Sequence, residues 1–192
     1  MSILVALFHN RWSVPILAEL HRQRGSRLVT LARMLGMSRE SLRRTLAALI
    51  GTGLVRRNPG YGHPLRPEYV LTRAGEAIAA SCEPLVETIR RRGLEEIGFK
   101  KWSMPVVYAL ASEPRRFSEL RDELPGISPR ALALALKDLE GAGLIERRVT
   151  SDYPPATIYR LTDNARPLAK LLGQISAPGI RTAATRASST NP

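Results

Sequence analysis

The chain has 192 residues, enough for one large domain or two small ones, and its aromatic content of 5% favours small helical domains over a β-sandwich. Its formal net charge of +12 implies an anionic partner, either nucleic acid or a membrane surface. The positive charge is concentrated in the first half, with 15 basic and 6 acidic residues up to Gly93, against 14 and 11 from Leu94 onward.

The N-terminal residues 3–8 are mostly apolar, but this run is too short to cross a membrane. No cationic stretch precedes it, so it does not look like a signal peptide. The single cysteine, Cys82, excludes an internal disulfide and fits a reducing compartment. We therefore expect a soluble cytoplasmic protein without a membrane partner, associated with the nucleoid if its anionic partner is DNA.

The sequence repeats itself at an offset of 90 residues, and three separate anchors share this offset. Trp12 corresponds to Trp102, residues 51–54 (GTGL) to residues 141–144 (GAGL), and residues 69–72 (YVLT) to residues 159–162 (YRLT). Such agreement is hard to obtain by chance. The two halves are therefore expected to share one fold.

Each repeat begins with three predicted helices. The first follows the Trp, and the second has apolar residues three or four positions apart, on one helix face. The third starts at a Ser, a favoured N-cap residue, and ends at a Gly pair. The second and third helices are defined by Leu28, Leu31, Leu35, Ser38, Leu42, Leu46 and Leu49 in repeat 1 and by Phe117, Leu120, Leu124, Ser128, Leu132, Leu136 and Leu139 in repeat 2.

Two short extended segments follow in each repeat, at residues 54–57 and 68–72 and at residues 144–149 and 157–162, joined by polar tips that contain Pro. A closing helix comes next, over residues 74–92, with a kink or break near Pro84, and over residues 163–175. This order predicts a mainly α chain with short β-hairpin wings. It would comprise two tandem winged helix-turn-helix domains, at residues 1–92 and 93–176, and a disordered tail at residues 177–192.

The second repeat resembles the HxlR family of winged-helix transcription regulators, which are relatives of the MarR group. The resemblance covers residues 100–172 and rests on residues 114–120 (PRRFSEL), 124–130 (LPGISPR), 139–148 (LEGAGLIERR) and 153–155 (YPP), followed by 159–162 (YRLT). The first repeat matches more loosely over residues 11–86.

This resemblance implies a protein that binds double-stranded DNA at an operator, is not an enzyme and needs no cofactor. Family members are homodimers of single-unit chains, so this chain is expected to be a homodimer or an intrachain pseudo-dimer. Members often carry a reactive Cys shortly before the first helix, and neither repeat has one there. Cys82 lies in the closing helix of repeat 1, so redox sensing does not carry over.

The third helix of a winged helix-turn-helix unit enters the major groove and presents its non-core face to base edges. In repeat 1 this face carries Arg39, Arg43 and Arg44 beside Glu40. Arginines there suit contacts to guanine and phosphate. The predicted hairpin adds four candidate DNA contacts: Arg56, Arg57, His63 and Arg66.

In repeat 2 the positions of Arg43 and Arg44 are occupied by Ala133 and Leu134, which can touch thymine methyls but form no bidentate hydrogen bonds. The remaining candidate DNA contacts are Arg130, Lys137, Arg147 and Arg148. We therefore hypothesise that unit 1 makes most base contacts, while unit 2 supplies backbone contacts or binds a protein partner. The simpler alternative is that both units bind DNA comparably.

A sequence-specific transcription regulator is thus the predicted function. One alternative is a replication or partition initiator, because such proteins can also pair two winged helices. Another is an interaction scaffold that has kept the fold without contacting DNA. The three His residues and Cys82 show no metal-ligand spacing, and no nucleophile motif or phosphate-binding loop is visible, so no metal or catalytic site is predicted. Core packing is the expected role of Trp12 and Trp102.

Overall fold

The structure is a computed structural model that describes residues 2–58, 68–151, 153 and 155–177. This part of the chain is mainly helical with small antiparallel sheets, as expected. In chain order the elements are α1 (Ser2–Phe8), α2 (Ser13–Gln23), α3 (Leu28–Leu35), α4 (Arg39–Gly51), β1 (Val55–Asn58), β2 (Glu68–Leu71), α5 (Arg73–Arg91), α6 (Glu95–Gly98), α7 (Ser103–Ala109), β3 (Arg115–Arg116), α8 (Phe117–Glu123), α9 (Pro129–Gly141), β4 (Ile145–Val149), β5 (Thr157–Leu161), a 3₁₀ turn (Asp163–Ala165) and α10 (Arg166–Ser176).

The described chain divides into two compact units. The N-terminal unit contains residues 10–87 and 175–177, and the C-terminal unit contains residues 2–9 and 88–174. Helix α1 thus groups with the later half of the chain, whereas the sequence-based boundaries put it in the first unit. The physical reason is its apolar face: Leu4, Leu7 and Phe8 are at most 3% exposed, and α1 packs against α7. The predicted tail lies outside the described residues, except for Ala177.

The core of the N-terminal unit is formed by the apolar faces of its helices. Leu42, Leu46 and Leu49 on α4 are buried as their spacing predicts, and α4 packs on α3 and β1. The Ser38 side chain caps α4 by accepting a hydrogen bond from the Ser41 N–H at 3.2 Å. This cap satisfies a backbone donor that has no partner within the helix. The helix therefore starts at a defined residue, which positions the side chains of its first turns.

The C-terminal unit repeats this arrangement in α9. Leu132, Leu136 and Leu139 form its buried face. Ser128 caps the helix by accepting from the Ala131 N–H, also at 3.2 Å, and Pro129 takes the first helical position, where its missing N–H is not needed. The outward faces of α4 and α9 are consequently presented by helices with the same start, length and buried stripe.

Each unit has a small antiparallel sheet, and the hairpin strands that follow α4 and α9 lie within a residue of the predicted segments. In the N-terminal unit β1 pairs with β2, with Val55 opposite Leu71. In the C-terminal unit the strand order is β3-β5-β4, with Ile145 opposite Leu161. The edge strand β3 was not predicted, because Arg115–Arg116 is too short to show an alternating pattern. Most residues of the N-terminal hairpin tip lie outside the described chain.

One threonine ties each hairpin to the residues after the third helix. The Thr72 hydroxyl donates to the Gly53 carbonyl at 2.7 Å, and the Thr162 hydroxyl donates to the Gly143 carbonyl at the same distance. In the N-terminal unit α5 also approaches closely, since a Cβ on Gly75 would lie 2.0 Å from the Leu54 carbonyl oxygen. Only glycine fits there without a shift of the backbone.

A kink or a break was expected near Pro84; helix α5 continues through this residue, so a break is excluded. A proline inside a helix costs about 3 kcal/mol, whereas each fully buried aliphatic side chain contributes about 1.5–3 kcal/mol. The buried face of α5, which includes Ile78 and Leu85 at 0% exposure, therefore outweighs the lost hydrogen bond. Within the described residues no helix is both long and apolar enough to cross a bilayer.

Candidate nucleic-acid interface

The outward face of α4 carries the predicted cationic cluster. Arg39, Arg43 and Arg44 are all exposed, while the buried stripe of the same helix faces the core. Arg43 and Arg44 lie one turn beyond Arg39, so all three project from the first half of the helix. The first turns of such a helix supply its base contacts when it enters the major groove.

The three arginines differ in what they contact. Arg43 Nη1 lies 3.9 Å from Glu40 Oε2, an exposed pair one turn apart. Arg39 and Arg44 form no ion pair with any residue in the described ranges. Their guanidinium groups are therefore available for an anionic ligand, and Arg43 is opposed by one carboxylate.

On the hairpin, Arg57 is oriented by an aromatic side chain. Its guanidinium carbon lies 5.5 Å from the ring centroid of Tyr69, and its Nη2 donates to the Tyr69 hydroxyl at 3.0 Å. Tyr69 is only 4% exposed and pairs directly with Arg57 across β1 and β2. A cation held over a ring in this way loses little further side-chain freedom when it binds. Arg56 is exposed beside it, whereas His63 and Arg66 lie outside the described residues.

The outward face of α9 has a different chemistry. Arg130 and Lys137 are exposed, as predicted, and Ala133 and Leu134 lie exposed between them. Leu134 is 57% exposed, so it contributes little to the core. This helix can place two cations on phosphates, but its central positions offer no hydrogen-bond donors.

The hairpin cations of the C-terminal unit are partly offset by an acidic neighbour. Arg148 lies 3.4 Å from Glu146 Oε2, and Arg160 hydrogen-bonds the other oxygen of Glu146. The hydrogen bond from Arg160, followed by the charge of Arg148, holds the pKa of Glu146 below its usual range. Glu146 therefore stays ionised at neutral pH. Arg147 donates to the Thr157 hydroxyl at 3.3 Å.

The sequence identified the cationic side chains of this surface but not the residues that contact them. The pairing of Glu40 with Arg43 could have been inferred, because residues three apart are neighbours on a helix surface. The contacts of Arg57 with Tyr69 and of Glu146 with Arg160 depend on strand register, which the repeat alone does not determine. Trp12 and Trp102, expected in the core, are half-buried and each lies beside a cation, Arg11 and Lys101.

The described residues contain no cluster of three or more His, Cys, Asp or Glu side chains that could hold a metal ion. His21 instead approaches two carboxylates, with its Nδ1 2.7 Å from Glu83 Oε2 and its Nε2 3.7 Å from Glu76 Oε2. Cys82 is fully buried, and this burial raises the pKa of its thiol to about 12. A thiol in that state is a core side chain and not a nucleophile.

Comparison with known proteins assigns the two halves of the chain separately. Residues 97–185 match the family described as HxlR-like helix-turn-helix, in agreement with the resemblance of the second repeat. Residues 5–93 match a different family, described as HVO_A0261 N-terminal domain. The HxlR-like family model thus covers the second repeat, and the first repeat matches a family model of its own.

Several similar curated proteins are named as helix-turn-helix transcriptional regulators. The uncharacterized HTH-type transcriptional regulator YvaP of Bacillus subtilis is 40% identical over 77 residues, which are 40% of this chain and 71% of the relative. The HTH-type regulator YodB of the same organism is 33% identical over 78 residues, 41% of this chain and 70% of YodB. The solved structure of reduced YodB aligns with a TM-score of 0.42 at 29% identity, covering 45% of this chain and 85% of that one. The chain belongs to the HxlR-like helix-turn-helix family of transcriptional regulators, which bind DNA and are not enzymes, and it carries a second, N-terminal domain of another family.

Proposed function

We propose that the chain is a sequence-specific regulator that binds double-stranded DNA through two tandem winged helix-turn-helix units, with the N-terminal unit making most base contacts. The observation that carries this proposal is the contrast between the outward faces of α4 and α9. Arg43 and Arg44 occupy the centre of the first, and Ala133 and Leu134 occupy the centre of the second.

Shared local contacts support the view that the units are tandem versions of one fold. The capping bonds of Ser38 and Ser128 have the same length, and the threonine bonds of Thr72 and Thr162 have the same length and the same partner position. These pairs keep the 90-residue offset of the sequence repeat. Different family assignments for the two halves then reflect divergence after duplication.

The N-terminal unit is favoured for base contacts because arginine can form two parallel hydrogen bonds to guanine. Each such contact is worth about 1–3 kcal/mol of discrimination against the wrong base. Arg44 is exposed without an ion-pair partner in the described chain, and the neighbouring β1 adds Arg56 and the oriented Arg57. The C-terminal unit retains Arg130 and Lys137, which suit phosphates.

Paired variants test the proposed difference between the units. Electrophoretic mobility shift titrations compare Arg43→Ala/Arg44→Ala with Arg130→Ala/Lys137→Ala on a duplex selected by the intact protein. Each pair removes two exposed charges. We expect the first pair to reduce both affinity and sequence preference, and the second to reduce affinity on all sequences alike. Equal losses of affinity and preference from the two pairs would contradict the proposal.

Salt dependence separates DNA binding from a scaffold role. Phosphate contacts release counterions, so the affinity should fall steeply with salt. A scaffold would bind weakly and without sequence preference. A genome-wide map of binding sites then distinguishes promoters, expected for a regulator, from clustered repeats at an origin, expected for a replication or partition initiator. Solution mass with bound duplex decides between a homodimer and an intrachain pseudo-dimer.

A further inference from the structure

The outward face of α9 carries a symmetrical pattern of chemistry. Arg130, Ala133, Leu134 and Lys137 have the spacing i, i+3, i+4 and i+7, so they form one stripe along the helix, and all four are exposed. Two apolar side chains are thus bracketed by two cations. The stripe lies opposite the buried face formed by Leu132, Leu136 and Leu139.

Packing does not account for Leu134. It is 57% exposed, more than the exposed aliphatic side chains Met34 and Ile50, whereas the leucines of the buried face are at most 3% exposed. A single exposed leucine is ordinary on a protein surface. The bracketing charges make this one different, because Arg130 and Lys137 have no ion-pair partner in the described chain.

The stripe is short enough to lie within the DNA major groove. Seven residues at about 1.5 Å each separate Arg130 from Lys137 by about 10 Å along the helix axis. The major groove of B-DNA is about 12 Å wide and is bordered by phosphates on both sides. With α9 in the groove, Arg130 and Lys137 reach the bordering phosphates through their long side chains, and the apolar pair between them faces the base edges. In that groove the one apolar group is the C5 methyl of thymine.

We propose that Ala133 and Leu134 contact thymine methyl groups while Arg130 and Lys137 hold the flanking phosphates. The C-terminal unit therefore selects a thymine-bearing site, and the N-terminal unit selects guanine. This proposal rests on the proposed DNA binding and adds to it a second, hydrophobic source of base preference. Charge complementarity favours DNA over a protein partner, since both ends of the apolar pair are cationic.

Replacing thymine by deoxyuracil removes only the C5 methyl, which makes it a direct probe of this contact. Burial of one methyl group corresponds to about a fourfold change in affinity. Duplexes are first selected from a random library by the full chain, and each thymine of the selected site is then replaced singly by deoxyuracil. For the wild-type protein we expect about fourfold weaker binding at one or more thymines.

Two alanine variants, at residues with the same exposed fraction, identify the side chain that contacts the thymine methyl group. Leu134→Ala should reduce the deoxyuracil effect at those thymines to less than about twofold, because most of the apolar contact is gone. Val29→Ala, at an α3 side chain that is also 57% exposed, should leave the effect unchanged. Thermal unfolding by circular dichroism should be the same for both variants, since neither residue is in the core.

The outcomes separate this proposal from the one on which it rests. If the selected duplexes are bound but deoxyuracil has no effect, or if its effect survives in Leu134→Ala, thymine recognition by α9 is refuted while DNA binding stands. The proposal of thymine recognition is also refuted if Leu134→Ala leaves the affinity for every duplex unchanged, which is the result expected if α9 docks a protein instead. Failure of the full chain to enrich any duplex refutes both proposals.

Discussion

Arg43 Nη1 lies 3.9 Å from Glu40 Oε2 on the outward face of α4, and both side chains are more than half exposed, at 57% and 73%. An exposed ion pair of this kind contributes about 0–1 kcal/mol to stability, so it restrains Arg43 only weakly. Its larger consequence is electrostatic. A carboxylate stands on the helix face that we propose to meet phosphates, where it opposes the arginines around it.

The substitution Glu40→Gln should therefore tighten DNA binding. One charge at about 4 Å in water is worth about 1 kcal/mol, so the affinity should rise by up to about fivefold at low salt, and the gain should shrink as salt is added. Glu87→Gln, an exposed acid on α5 of the same unit, is the charge-matched control. An equal gain from both substitutions would mean that only net charge matters and that α4 is not at the DNA.

Glycine at position 75 is expected to be required by the junction between β1 and α5. A Cβ there would meet the Leu54 carbonyl oxygen at 2.0 Å, which is backbone and cannot rotate away. Gly75→Ala should lower the free energy of unfolding by about 1–3 kcal/mol, the usual cost of overpacking. Urea unfolding measures this change in the free energy of unfolding. Gly51→Ala is the control, because no atom lies within 4 Å of a Cβ at Gly51. Similar values for the two would show that the junction relaxes without cost.

Much of each unit could be predicted because its elements have local signals. The buried leucines of α4 and α9 follow from helical spacing, and Ser38 and Ser128 identify the helix starts. Because the same signals recur 90 residues later, each of these elements was predicted in both repeats. Base contacts remain a prediction, since their test requires DNA.

The features that escaped prediction depend on tertiary contacts. Helix α1 has only seven residues, and its packing partner α7 lies about half the chain away in sequence. The continuity of α5 through Pro84 depends on how much apolar surface that helix buries, which local propensity does not show. The aromatic support of Arg57 requires the register that places Tyr69 opposite it.

Cys82 should be unreactive in the folded protein. Burial raises the pKa of its thiol to about 12, so the thiolate, which is the nucleophile, is scarce at any pH at which the protein is normally handled. An exposed cysteine, with a pKa of about 8.5, is alkylated readily at mildly alkaline pH. Iodoacetamide should label Cys82 only after denaturation in guanidinium, as measured by mass spectrometry. Rapid labelling of the native protein would instead indicate an accessible thiol and reopen redox sensing.

Helix α1 should stabilise the C-terminal unit, although it lies at the opposite end of the sequence. Phe8 is 1% exposed, so Phe8→Ala should cost about 3–5 kcal/mol through lost burial and the cavity left behind. Each unit contains one tryptophan, Trp12 or Trp102, which allows the two to be followed separately by fluorescence. In a Trp12→Phe background, Phe8→Ala should shift the urea midpoint reported by Trp102.

The reciprocal measurement uses a Trp102→Phe background, in which Trp12 reports on the N-terminal unit. Here Phe8→Ala should have the smaller effect, and Leu17→Ala, at a fully buried residue of α2, should have the larger one, about 2–5 kcal/mol. Phe8→Ala and Leu17→Ala both leave a cavity in a core, but each is expected to destabilise a different unit. A larger shift at Trp12 than at Trp102 after Phe8→Ala would place α1 with the helices that follow it in sequence. A cavity weakens first the core in which it lies. That result would therefore favour the sequence-based first domain of residues 1–92 over the grouping of α1 with the C-terminal unit.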